Sequence, residues 1–333
     1  MKYTELGNSG IMASRICVGC MSYGVPSDDF LRWTLDYETS RDMIKFAFDH
    51  GVNFFDTANC YSHGTSEEFL GRAIRELGIK RSDVVIASKV YFNQGKLRPE
   101  AIKREIEGTL RRLSTDYLDL YQIHRFDYST PMDETMAALH SLIKDGKVRA
   151  IGASAMYGYQ FYNLQMVAER NGFTPFSTMQ NHYNLLYRED ERDLIPVCKQ
   201  MGVSLIPYSP LASGHLTRPS WNSDSPRSAT DQMARNKYDF TMQQDMKIVE
   251  RVADVAGQLG VTMTEVALAW QFAKGVAAPI VGATKPHHFA DAIKSVDLEL
   301  TAEEVAYLDE LYLPHKVKGA LSEGPNPLPP FIK

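Results

Sequence analysis

Asp56, Lys89 and His124 each close a short apolar run, and Tyr61 lies just beyond Asp56. Tyrosine, lysine, aspartate and histidine brought together describe a proton donor of tuned acidity. A free phenol, with a pKa near ~10, is a poor acid at neutral pH. A neighbouring ammonium stabilises the phenolate, so the pattern predicts a phenol whose pKa is lowered by Lys89. Asp56 can pair with Lys89 and hold it charged at the rim of a site. His124 can hydrogen-bond both the phenol oxygen and a carbonyl oxygen. Such a set protonates an oxyanion as it forms, which is general acid catalysis. None of the four can deliver a hydride, so a reduction here needs a cofactor.

Those residues must be held by an alternating α/β framework. Short β-branched or aromatic runs predict strands over Ile16–Cys20, Asn53–Thr57, Val84–Lys89, Leu118–His124, Ala150–Ser154, Ser177–Asn181, Ser204–Ser209 and Ala278–Ala283. Amphipathic stretches between them predict helices over Ser40–Asp49, Ser66–Leu77, Pro99–Leu113, Asp133–Asp145, Tyr159–Glu169, Glu189–Gln200, Asp245–Leu259, Thr262–Lys274 and Thr301–Leu311. Ser66-Glu67-Glu68 and Arg98-Pro99-Glu100 read as helix starts. Gly51, Gly78, Gly146, Gly172, Gly202 and Gly260 read as stops. Eight such units predict a closed (β/α)8 TIM barrel, and no G-x-G-x-x-G follows the first strand to favour an open dinucleotide-binding sheet. A hairpin before Ile16 and long loops over Ser22–Thr39 and Leu211–Thr241 complete the frame. The whole chain, 1–333, reads as a single domain, with 314–333 as an irregular C-terminal tail.

Barrel enzymes carry their chemistry at the C-terminal ends of the strands, here Asp56, Lys89, His124, Ser154, Gln180, Tyr208 and Gly282. Bulk properties narrow the partners. The formal charge is −5 in 333 residues, and no run of lysine and arginine favours nucleic acid or an anionic membrane. No segment approaches a membrane span and no apolar leader opens the chain, so the cytoplasm is the expected compartment. Cys17 and Cys20 form a lone C-x-x-C on a predicted strand, where residues three apart face opposite sides, so core packing is expected and no metal site. Trp33, Phe92, Phe126, Tyr157 and Trp221 are candidates to line a substrate pocket. Oligomeric state is left open.

The motifs carry a resemblance. Gly51-Val52-Asn53-Phe54-Phe55-Asp56-Thr57-Ala58-Asn59-Cys60-Tyr61, continuing to Gly64-Thr65-Ser66-Glu67-Glu68-Phe69-Leu70-Gly71, resembles the first signature of the aldo-keto reductase superfamily. Ala87-Ser88-Lys89, Gln122-Ile123-His124, Ile151-Gly152-Ala153-Ser154, Met179-Gln180-Asn181 and Tyr208-Ser209-Pro210-Leu211 follow in the family's order. Ser154-Ala155-Met156-Tyr157 and Gln180-Asn181-His182-Tyr183-Asn184 are most similar to a bacterial and fungal branch with a long loop after the seventh strand.

The resemblance implies reduction of an aldehyde or ketone, with Asp56, Tyr61, Lys89 and His124 as the catalytic tetrad. It implies NADP(H) as cofactor and a small carbonyl compound as substrate. Ser154 and Gln180 would bind the nicotinamide carboxamide, Tyr208 would stack on its ring, and Cys20, Met21 and Asp56 would lie beside the nicotinamide ribose. Ser209, Leu211 and Ser213 would line the pyrophosphate, with Arg227 closing over it. Gly282, Thr284, Lys285, His288 and Asp291 would hold the adenosine end, Lys285 and His288 serving a 2′-phosphate. Ala155 and Ala292 stand where relatives often carry asparagine. Potassium-channel β subunits share this fold, but His124 differs from the residue they carry there. A lyase or isomerase barrel would need metal-binding or phosphate-binding residues that the chain does not offer.

Overall fold

The structure is a computed structural model that describes residues 1–27, 31–222 and 230–317. Eight parallel strands run in one sheet: β3 (Cys17–Gly19), β4 (Phe54–Asp56), β5 (Val85–Val90), β6 (Leu118–Ile123), β7 (Val148–Ser154), β8 (Thr178–Gln180), β9 (Ser204–Leu205) and β10 (Ile280–Val281). β10 pairs with β3, and bonds outside the strands join β10 to β9. There Ala277 N–H donates to Leu205 O at 3.0 Å and Ile280 N–H to Pro207 O at 2.9 Å. The sheet thus curls into the expected (β/α)8 form. β9 and β10 hold only two residues each, shorter than the sequence pattern predicts. Pro207 has no N–H to continue the β9 ladder.

The hairpin β1 (Tyr3–Glu5) and β2 (Met12–Ser14) precedes the barrel. Leu6, Ile11 and Ala13 from it join Cys17, Phe54, Ala87, Leu120, Ala150, Ile206 and Ala278 in a cluster that fills the lower barrel. Side chains alternate across a strand, so the inward position two residues on from each apolar one lies a layer higher. Phe54 leads to Asp56, Ala87 to Lys89, and Leu120 to Gln122. The interior changes from apolar to polar in one step, and this places the site. Cys17 falls in the interior cluster and Cys20 in the helix-facing core, both buried free thiols.

The helices wrap the outside: α1 (Tyr37–Asp49), α2 (Thr65–Glu76), α3 (Pro99–Leu113), α4 (Met132–Lys144), α5 (Gly158–Asn171), α6 (Leu194–Gln200), α7 (Gln232–Tyr238), α8 (Met242–Leu259), α9 (Met263–Ala273), α10 (Pro286–Lys294) and α11 (Ala302–Asp309). Their apolar stripes recur at helical spacing, as with Ile102, Ile106, Leu110 and Leu113 of α3. Asp36 caps α1 through a 2.9 Å bond from Thr39 N–H, and Thr262 and Glu265 form a capping box on α9. The glycines at expected stops all have positive φ.

Three sequence expectations are corrected. Ser66 does not start α2; its hydroxyl turns inward and donates to Cys20 O at 2.7 Å. The helix expected over Glu189–Gln200 is a 3-10 turn, Glu189–Arg192, followed by α6. Proline is tolerated only in a first turn, so Pro196 forces the helix to begin at Leu194. The stretch expected as one long loop, Leu211–Thr241, holds a helix, α7, which carries only Tyr238 buried and so shows no apolar stripe.

Candidate active site

At the C-terminal end of the barrel, Lys89 Nζ donates to Asp56 Oδ2 at 2.5 Å, to Thr57 O at 2.8 Å and to Tyr61 OH at 3.2 Å. Asp56 Oδ1 accepts from Gln122 Nε2 at 2.9 Å and from Gln180 Nε2 at 3.0 Å. Asp56 and Lys89 are buried inside the barrel, deeper than the rim position that the sequence gives them. A buried ion pair is tolerable only when its remaining hydrogen-bonding capacity is met, which Gln122 and Thr57 supply. Burial alone would push the Lys89 ammonium down, but the Asp56 carboxylate hydrogen-bonded to it holds it above its ordinary value.

Tyr61 opens a tight turn, Tyr61–Gly64, in which Ser62, His63 and Gly64 have φ of 45, 55 and 92°. A Cβ on Gly64 would meet Arg112 Cδ at 2.8 Å, so this left-handed, crowded position requires glycine. Arg112 is held by Glu67, a buried carboxylate at 2.6 Å that also accepts from Ser88 Oγ at 2.5 Å. The turn carrying Tyr61 is therefore anchored to the residue preceding Lys89. Burial pushes the Tyr61 phenol up to about 12, against the downward pull of Lys89. This corrects the expected direction: the ammonium acts as anticipated, but desolvation outweighs it.

His124 meets the Tyr61 ring edge-on at 5.8 Å and the Phe92 ring at 5.0 Å. Burial, then Lys89 and Arg125, keep its imidazole well below the usual histidine pKa, so it is neutral. Its Nδ1 lies 3.9 Å from Cys60 Sγ. Burial raises that thiol to about 11.

One cleft of about 1670 Å³ runs from these groups across the barrel mouth. Asp56, Tyr61, His124, Met21, Ser154, Gln180, Tyr208, Ser209, Leu211, Ser213, Gly282, Thr284, Lys285, His288 and Asp291 all line it. Lys89 lies behind Tyr61. Cys20 is the exception among the described cofactor-binding candidates. It packs in the helix-facing core with Ile16 and Val18, whereas Gly19 and Met21 line the cleft. Arg227 lies outside the described residues. Of the five aromatic candidates, Trp33 and Phe92 line the cleft. Phe126 packs on Tyr128, Tyr157 on Tyr159, and Trp221 on His215.

Sequence reasoning gave no role to Gln122, although its place two residues after Leu120 puts it indoors. A Cβ on Gly152 would lie 2.3 Å from Thr178 Oγ1 and 3.0 Å from Gln122 Cγ, so glycine keeps that space open. It also missed Arg125, Arg218, Met233 and Lys237 along the cleft. The last two sit on α7, whose position no local pattern announces.

The protein sequence matches the Aldo/keto reductase family over residues 15–313. The chain belongs to that family. It is 39% identical to the versiconal hemiacetal acetate reductase of Aspergillus parasiticus, covering 95% of this chain and 98% of that one. It is 41% identical to a putative aryl-alcohol dehydrogenase of Schizosaccharomyces pombe, over 96% of this chain and 98% of that one. Among solved structures it resembles a thermostable aldo-keto reductase, Tm1743, solved with the inhibitor epalrestat, at a TM-score of 0.76 and 29% identity over 94% of this chain and 100% of the other. As an aldo-keto reductase the protein is an oxidoreductase acting on carbonyl and alcohol groups of small molecules. Among the described residues no helix is long and apolar enough to cross a membrane.

The cleft fits a nicotinamide dinucleotide. It exceeds the ~300–1,000 Å³ usual for one drug-sized ligand, leaving room for cofactor and substrate together. The Tyr208 ring, backed by His182 in a near-parallel stack at 5.1 Å and 9°, offers a flat wall. Ser209, Ala212, Ser213 and Gly214 have φ of 53, 47, 56 and 100°, the kind of backbone that curls amides into anion-binding nests. Arg218 and Lys285 add positive charge farther along.

Proposed function

We propose that this reductase uses NADPH to reduce aldehydes or ketones to alcohols, with Tyr61 donating the proton. The observation that carries the reading is the unbroken Asp56–Lys89–Tyr61 chain at the floor of the cleft. When bound, the nicotinamide supplies the hydride. Tyr61, neutral at physiological pH, gives its proton to the carbonyl oxygen, and Lys89 stabilises the phenolate left behind. Asp56 fixes the ammonium, with Gln122 and Gln180 fixing Asp56 in turn. Neutral His124 donates a hydrogen bond to the same oxygen through Nε2, in the tautomer whose Nδ1 accepts from the Cys60 thiol.

For the cofactor, Ser154 and Gln180 would hold the carboxamide, and Tyr208 would face the ring. Ser209, Leu211 and Ser213 would take the pyrophosphate. Lys285, at the N-terminus of α10 with Thr284, would read the 2′-phosphate. Burial, then His287 and Lys285, push His288 down, so it serves as a neutral hydrogen-bonding partner. Relatives named for an aryl alcohol and for a hemiacetal acetate suit the apolar walls of Trp33 and Phe92. The test is NADPH oxidation across a panel of aldehydes and ketones by wild type and Tyr61→Phe. The variant should bind NADPH normally and lose at least ~100-fold in turnover. Near-normal turnover would move the proton to another group, and no oxidation by wild type would end the reading.

A further inference from the structure

One cation beside the reacting groups is used by neither the acid chain nor the dinucleotide reading. Arg125 follows His124 and lines the cleft, half-buried. Its Nη1 donates to His124 O at 3.0 Å, and the guanidinium sits 5.3 Å from the centroid of the Phe92 ring. Among the described residues no aspartate or glutamate pairs with it. Lys89, the cation of the acid chain, is neutralised by Asp56 at 2.5 Å. A guanidinium presents five donors in a rigid fork, and one is engaged with protein.

The ring beside that fork is that of Phe92, and further apolar groups line the same cleft. Phe92 is 48% exposed and Phe240 83%, and with Trp33 and Met233 they line the same cleft. A planar apolar body carrying a carboxylate meets both features at once, because arginine binds carboxylates through paired hydrogen bonds that lysine cannot reproduce. The Arg125 charge is felt inside the cleft, where after burial and Lys89 it is the next influence depressing His124.

We infer that Arg125 recognises an anionic substituent on the substrate, making aromatic aldehydes that carry a carboxylate a preferred class. This rests on the carbonyl-reductase reading of the same cleft.

The experiment compares 4-carboxybenzaldehyde with 4-methylbenzaldehyde, which differ mainly in charge, in wild type, Arg125→Gln and Arg125→Lys. It measures kcat/KM and, by calorimetry with and without NADPH, the affinity for the two corresponding alcohols. In Arg125→Gln the loss for the carboxylate should exceed that for the methyl compound by about 10–100-fold, in both turnover and binding. Arg125→Lys should fall between, and rising salt should shrink the wild-type preference. Equal losses for both compounds would overturn the inference and make Arg125 a support for His124. No preference in wild type, or a loss confined to NADPH affinity, would overturn it too. A binding preference without turnover would sustain Arg125 and sink the reductase reading.

Discussion

At the Tyr61 end of the cleft the polar side chains are fixed by buried neighbours, whereas at the Lys285 end they stand at the surface. Asp56, Lys89, Gln122 and Gln180 are at most 3% exposed, and each is hydrogen-bonded to another of the set. Lys285 and His287 are exposed at the head of α10, with His288 and Asp291 half-buried behind them. One end rises from strands inside a packed barrel, and the other from a short helix and from loops. Charges in a low-dielectric interior act strongly and tolerate little change, while surface charges are screened. The first end should therefore govern chemistry and folding, and the second affinity alone.

Lys285→Ala sharpens that contrast. A charge-assisted contact to phosphate is worth about 1.5–3 kcal/mol, so NADPH binding should weaken by roughly 10–100-fold. NADH binding and the turnover of the saturated enzyme should hardly move. Fluorescence titration of both cofactors at low and high salt checks it. Equal losses for NADPH and NADH would mean that Lys285 shapes the loop and does not read the phosphate.

A smaller effect belongs behind the Tyr208 wall. Tyr208 stacks on His182, His182 on Tyr187 at 4.2 Å, and Tyr187 meets His315 edge-on at 6.4 Å. His315, within the segment expected to be irregular, is bound by Asp245 at 3.0 Å and stacks on Tyr312, while its N–H donates to Glu189. Burial opposes its charge, but Asp245 raises its pKa above the ordinary value. A histidine raised on folding stabilises fully below its unfolded pKa, near ~6.5, and loses that contribution as pH rises through the folded value. His315→Gln should therefore lower the thermal midpoint by about 1–3 °C at pH 6, and by less at pH 9. A difference independent of pH would show that packing, not charge, holds the tail.

The two ends also differed in how far the sequence revealed them. Asp56, Lys89 and His124 were legible because each ends an apolar strand, and strand alternation leaves little freedom there. Cys20 fails because the strand ends at Gly19: Cys20 opens a 3-10 turn, Cys20–Ser22, and its side chain packs in the helix-facing core. Gln122 obeyed the alternation and was overlooked because a buried amide announces no chemistry by itself. The phenol's acidity was misjudged because burial depth, unlike residue type, is not written locally. Farther along the cleft, where Lys237 lies 5.1 Å from the centroid of the Tyr208 ring, α7 packs through Tyr238 rather than through a periodic stripe, so Met233 and Lys237 gave no signal. Ala155 shows what composition alone conceals: its φ of 48° is left-handed, a region asparagine tolerates better than alanine.

The central claim is that Asp56 and Lys89 act as one unit behind Tyr61. A double-mutant cycle of Asp56→Asn and Lys89→Met, read in kcat and in thermal stability, tests it most directly. Asp56→Asn leaves a buried ammonium without its counterion, which costs about 3–5 kcal/mol. Adding Lys89→Met should return part of that stability, and the double variant should lose less kcat than the product of the single losses. Additive losses in both readouts would contradict the pairing and, with it, the account of how this protein holds its acid.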